Sequence, residues 1–159
     1  MLRDCKELPA DKMLVKAQAI CSKQERCEAD VRNRLLAWGA DRSQIDSIIN
    51  DLKEEGYIDH ARYATLFASE KHRINRWGAY KISHSLAAKG IEQKYIDEAV
   101  ESLDPNENEA ILLDIIKRKA NTTKANNLVE LKGKITRFAL SKGFAYSDVL
   151  KAINKLPYE

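Results

Sequence analysis

Turn-forming residues are scarce: 6 glycines and 3 prolines in 159 residues. Sandwiches and barrels need many tight turns built from those residue types, so such a fold is a poor fit and helices are favoured. Cysteine is also rare, and Cys5, Cys21 and Cys27 are an odd number without CxxC spacing. A disulfide framework or zinc cluster has no basis there, and free thiols in a reducing compartment are the expectation. No run approaches the ~20 apolar residues that span a bilayer, and the opening Met1 to Glu7 carries Asp4 and Glu7 where a secretory signal needs apolar residues. The sequence therefore reads as a soluble cytoplasmic protein with no membrane partner. Net charge is a modest +3, which does not by itself announce a polyanion binder.

What the chain does have is self-similarity. Leu35-Leu36-Ala37-Trp38-Gly39, Leu86-Ala87-Ala88-Lys89-Gly90 and Ala139-Leu140-Ser141-Lys142-Gly143 align on glycines 51 and 53 residues apart. Six residues after each glycine an i, i+3, i+4, i+7 stripe begins: Ile45, Ile48, Ile49, Leu52; Ile96, Ala99, Val100, Leu103; Val149, Ala152, Ile153, Leu156. That period marks one buried face of a helix. Val31 and Leu35, Ile82 and Leu86, and Ile135 and Ala139 mark the preceding helix. A first helix opens each unit at Leu14, Ala17, Ile20 and Cys21, at Tyr63, Ala64, Phe67 and Ala68, and at Ile111, Leu112, Ile115 and Ile116.

Nine helices in three units follow, over 1–56, 57–104 and 105–159. Gly39, Gly90 and Gly143 are read as left-handed helix ends, Asp59 as a cap, and Asp104-Pro105-Asn106-Glu107 as an N-cap, first-turn proline and capping-box carboxylate. Units of about 50 residues bury little alone, so they stack. The expected fold is all-α, an elongated, curved row of three tandem three-helix repeats with a long concave face.

Catalytic machinery is not evident. His60, His72 and His84 are 12 apart, which leaves successive rings about 120° apart on a continuous helix, so they do not converge on a metal. Gly133-Lys134-Ile135-Thr136 lacks the hydroxyl and glycine positions of a phosphate loop. Neither enzyme activity, cofactor nor metal is expected. Trp38 and Trp77 fit core or staple positions better than base-stacking ones.

Charge is uneven along the chain. Lys71, Arg73, Arg76, Lys81 and Lys89 fall in residues 71–91 with no acidic residue among them. Lys117, Arg118, Lys119, Lys124, Lys132, Lys134, Arg137 and Lys142 fall in residues 115–142 against Glu130 alone. Either two solvated helix faces or a polyanion-binding surface follows, and Lys117 to Lys119 are read as a last helical turn, where the helix dipole favours cations. The helix that would enter a major groove carries a net −3 in both of the first two units, which disfavours groove readout of sequence.

Gly56-Tyr57-Ile58-Asp59-His60-Ala61-Arg62-Tyr63-Ala64, followed by Gly78, Lys81-Ile82 and Leu86-Ala87-Ala88-Lys89-Gly90-Ile91, resembles the RecX family of bacterial recombination regulators. The similarity runs from about Met13 to Leu156 and is dense from Gly56 to Ile91. Cys27 stands where that family often has a Ser or Thr cap, and His60 where it usually has an acidic residue. The turn residues Gly56, Tyr57, Ile58, Asp59 and Arg62 look architectural, with Tyr57 and Ile58 placed to pack between units.

The resemblance implies a partner, the RecA recombinase filament, whose ATPase and strand exchange the protein would inhibit in recombination and DNA repair. It implies contact with DNA, directly or through the filament, and no active site; the chain is expected to be a monomer. The alternative is an autonomous single-stranded nucleic-acid binder. Candidate filament or DNA contacts are Lys71, Arg73, Arg76, Lys81, Lys89, Lys132, Lys134 and Arg137. Exposed charges contribute little to stability, so reversing Arg73, Arg76 and Lys81, or Lys132, Lys134 and Arg137, to Glu is expected to leave the melting temperature almost unchanged.

Overall fold

A computed structural model describes residues 9–158. The stretch Met1 to Glu7 and Cys5 within it lie outside the described residues. Among the described residues there are nine α-helices and no strand: α1 Ala10–Lys23, α2 Glu28–Ala37, α3 Arg42–Glu54, α4 His60–Arg73, α5 Ala79–Ala88, α6 Gln93–Glu101, α7 Pro105–Thr122, α8 Leu128–Ser141 and α9 Tyr146–Asn154.

The closely packed helix pairs all lie within α1–α3, α4–α6 or α7–α9, and each trio closes on its own apolar core. The second-helix pairs Val31 and Leu35, Ile82 and Leu86, and Ile135 and Ala139 are fully buried at the three equivalent positions. Ile45, Ile48, Ile49 and Leu52 are buried together in the first core, whereas Val100 and Leu103 lie only partly buried beside the second. Met13 is a buried core residue that the helical stripe of α1 did not single out. The chain exposes 10330 Å², against about 8,100 Å² for a compact protein of its 18.1 kDa mass.

Gly39, Gly56, Gly90 and Gly143 all have positive φ, from 78° to 95°. At these turns a carbonyl of the preceding helix accepts an N–H beyond the glycine, as Leu35 does from Ala40 and Leu86 from Ile91. Asp59 accepts from the Arg62 N–H and caps α4. Asp104 accepts from the Asn106 N–H and caps α7.

Three local expectations change. Glu107 does not close a capping box: its carboxylate accepts from the Arg73 guanidinium of the second unit, a charged donor that competes better than a backbone N–H. The helix α7 runs on to Thr122, so only Lys119 of the three consecutive cations lies in its last turn. Tyr57 and Ile58 pack on the first core rather than bridging two, Ile58 being buried there. Cys27 does the bridging instead. It precedes α2 yet is fully buried among Tyr63, Ala64 and Ala68 of the second core.

Candidate binding surface at the unit junctions

Each junction is built on a helix whose free N-terminal amides are met by the next unit. At the first junction, His60 Nε2 accepts the Glu28 backbone N–H at 3.1 Å, leaving the Nδ1 proton to donate to Glu92 at 2.8 Å. His60 is buried, and this bond satisfies the Glu28 amide while the Cys27 thiol and the Asp30 carboxylate close a capping box at the start of α2. Arg62 reaches back from α4 to Glu25 and to the Gly56 carbonyl, and Lys89 pairs with Asp30. Burial works against the Lys89 ammonium, but Tyr63 and Asp30 outweigh it and hold its pKa above the ordinary value. The same burial pushes the Tyr63 hydroxyl up to about 12.

At the second junction backbone meets backbone. The Gly78 N–H donates to the Lys142 carbonyl at 2.8 Å and the Tyr80 N–H to the Gly143 carbonyl at 3.0 Å. The C-terminal end of α8 thus caps the N-terminus of α5, pairing positive and negative helix ends. A Cβ on Gly78 would stand 2.5 Å from the Gly143 carbonyl carbon, and one on Gly143 2.4 Å from the Lys81 nitrogen. Around this seam, fully buried His72 bonds Asn108, Arg73 pairs with Glu107, and Arg76, at φ 59°, pairs with Asp114.

These contacts divide the eight candidate cations. Arg73 and Arg76 hold the third unit, and Lys89 holds the first. Reversing Arg73 or Arg76 to an acid would set like charges on Glu107 or Asp114, so the expectation of an unchanged melting temperature is withdrawn for those two. Lys71 and Lys81 flank Trp77, their ammonium groups 5.3 and 4.7 Å from its ring centre. In the third unit Lys132 lies over Tyr158, whereas Lys134 donates to the Lys124 carbonyl and pairs with Glu130. Two positions apart on a helix is about 200°, so those lysines point to different sides. Arg137 is exposed.

Two grooves flank the junctions. The larger, of about 700 Å³, runs between Gln24, Glu25 and Arg26 and the α4 face carrying Tyr63, Phe67 and Lys71. The second, of about 340 Å³, lies between the α4–α5 connection and α7–α8. It brings Lys119 and Lys142 beside Phe138. Both lysines belong to the basic run read from the sequence, yet nothing in their spacing singles them out, because α4, α7 and α8 meet there only through tertiary packing. Among the described residues no helix is long and apolar enough to cross a membrane, and Cys21 and Cys27 carry no disulfide.

Comparison with known proteins places this architecture. The family description "RecX, second three-helix domain" matches residues 59–100, which hold α4, α5 and most of α6. The chain is 33% identical to a regulatory protein RecX from Clostridium tetani over 138 residues, 86% of this chain and 63% of that one. It is 31% identical to one from Lactococcus lactis subsp. lactis over 137 residues, 84% of this chain and 51% of that one. It thus spans between half and two thirds of the length of these relatives. The crystal structure of RecX from Lactobacillus salivarius superposes with a TM-score of 0.81 at 22% identity, covering 92% of this chain and 96% of that one. A second structure, of a regulatory protein RecX, superposes equally well at 20% identity. With the repeat, the turn at Gly56 to Arg62 and the fold in agreement, the chain belongs to the RecX family.

Proposed function

We propose that the chain binds, as a monomer, along a RecA recombinase filament, slows its ATPase and strand exchange, and promotes its disassembly, with no chemistry of its own. The observation that carries this reading is the row of separately cored units joined end to end, which offers an extended surface instead of one enclosed pocket. An extended surface suits a repetitive partner, because each unit meets an equivalent patch of the polymer and weak contacts add through effective concentration. Of the cations of the third unit, Lys134 and Arg137, three positions apart and on one side of α8, would serve contact with an acidic or phosphate-bearing partner, with Lys132 on another side of the helix.

The test is RecA ATPase on single-stranded DNA with the protein added from substoichiometric to equimolar ratio. Inhibition is expected. Turnover unchanged at equimolar ratio would overturn the reading. Reversing Lys132, Lys134 and Arg137 to Glu should weaken inhibition, while Lys12→Glu, on exposed α1 surface, should leave it intact.

A further inference from the structure

One ring at the first junction touches both units, and its proton count decides which contacts it can make. His60 is buried and opens α4, and its Nε2 accepts the Glu28 backbone N–H of the first unit at 3.1 Å. Its Nδ1 proton goes to Glu92, 2.8 Å away in its own unit. The two contacts therefore lie on opposite sides of the junction. Only the neutral ring makes both, because an imidazolium carries a proton on each nitrogen and has no acceptor.

The charged groups around the ring come from α2, α3, α4 and the start of α6. Glu28 of α2 is already engaged, its carboxylate oxygens paired with Arg32 and with Lys53 of α3, so it offers a charged ring no free partner. Asp59 is committed to the start of α4, where it accepts from the Arg62 N–H and pairs with the Arg62 guanidinium. Glu92 is the carboxylate that contacts the ring. Burial raises its pKa, but backbone hydrogen bonding and His60 outweigh that and hold it below the ordinary value. The N-termini of α2 and α4 both end at the ring, and their positive ends disfavour a cation there. A proton on Nε2 would face the Glu28 N–H donor to donor, while the bond to Glu92 would become an ion pair. We infer that protonation of His60 releases the first unit: the charged ring stays with Glu92 in the second unit and gives up the Glu28 amide, so the junction loosens in mild acid while each three-helix core stays closed. The remaining links, Arg62 with Glu25 and Lys89 with Asp30, join carboxylates to strong cations, classes that keep their charge between neutral and mildly acid pH.

Amide exchange of the full chain at about pH 8 and about pH 5.5, on either side of the range in which imidazoles titrate, tests this. Each rate is divided by that of the unfolded chain at the same pH. Protection of the Glu28 amide should fall roughly tenfold at the lower pH, the scale of one lost hydrogen-bond acceptor, whereas Gly78 and Tyr80 at the second junction should keep theirs. Cys27, fully buried against Tyr63 and Ala64, gives a second readout. In a Cys5→Ser/Cys21→Ala background its rate with dithiodipyridine, a thiol reagent that works in mild acid, should rise by a similar factor after the same correction. The variant His60→Gln keeps an oxygen to accept from Glu28 and an N–H to donate to Glu92 but takes up no proton, so its Glu28 protection should be the same at both pH values. His72 and His84 remain in that variant, and any pH effect that survives there belongs to other groups.

Equal Glu28 protection at the two pH values in the unmodified protein would overturn the proposal. So would a loss shared by Gly78 and Tyr80, which would mean general loosening, or the same acid-induced loss in His60→Gln. If His60→Gln fails to fold, the comparison of Glu28 with Gly78 and Tyr80 within the unmodified protein decides alone. None of these measurements contains a recombinase, so the outcome is independent of the filament reading.

Discussion

Gly78 and Gly143 face each other across the second junction for different reasons, and single substitutions separate them. At Gly143 the backbone is left-handed, so alanine would meet both conformational strain and the Lys81 backbone. Gly78 has an ordinary φ of −84°, so alanine there meets only the steric clash with the Gly143 carbonyl group. Gly90 is left-handed with nothing within 4 Å of an added Cβ. Gly90→Ala should therefore cost about 1 kcal/mol, and Gly78→Ala and Gly143→Ala more, about 3 kcal/mol, measured by urea unfolding. Equal losses at all three would mean the seam contributes nothing.

Charged residues at the first junction add a dependence on pH. Burial raises the Glu28 pKa, but Lys53 and Arg32 outweigh it and hold the carboxylate below its ordinary value. Glu92 is likewise held low against burial by backbone hydrogen bonding and His60. A depressed carboxylate stabilises the fold fully above its unfolded value, near 4.5, and that contribution is lost as pH falls through the folded one. Stability should fall below about pH 4.5, and Glu28→Gln should flatten the fall. An identical acid profile for the variant would remove Glu28 from the account.

Helix ends are met in two ways. The helices α3, α4, α7 and α8 carry their own caps, Asp41, Asp59, Asp104 and Asn127. The helix α2 has a capping box of Cys27 and Asp30 while His60 of the next unit meets its Glu28 amide, and the start of α5 relies on the carbonyls of Lys142 and Gly143. An amide met by the neighbouring unit loses that acceptor when the units separate, so the first amides of α2 and α5 report on the junctions. Amide exchange should show Glu28, Gly78 and Tyr80 protected despite lying at helix starts. His60→Ala should expose the Glu28 amide and cost roughly 1–2 kcal/mol for the acceptor lost. A Glu28 amide that exchanges freely in the unmodified protein would rule out this cap.

The whole molecule is a row because each trio buries its own core and the links between trios are narrow: a histidine, a cysteine and ion pairs at one junction, a backbone seam flanked by a histidine and ion pairs at the other. Small-angle scattering should give a radius of gyration well above the ~15 Å of a compact chain of this length. A value near 15 Å would mean the units fold back on one another.

Local order was legible in the residues themselves. The repeat around Gly39, Gly90 and Gly143, the stripes such as Ile45 to Leu52, and the Asp59 and Asp104 caps are interactions within a few turns of chain, so spacing and residue type suffice to place them. Packing decided the rest. Glu107 left its own helix end for Arg73, Cys27 entered the second core besides closing a capping box with Asp30, and the run of cations from Lys71 to Lys89 split among three destinations. Apart from Trp77, which lies close in the chain to Lys71 and Lys81, the partner is dozens of residues away, where periodicity says nothing about which side chain arrives. The charge of 115–142 is a property of the sequence, but the pairing of Lys119 with Phe138 beside Lys142 depends on two glycines without a Cβ letting backbones from different units touch.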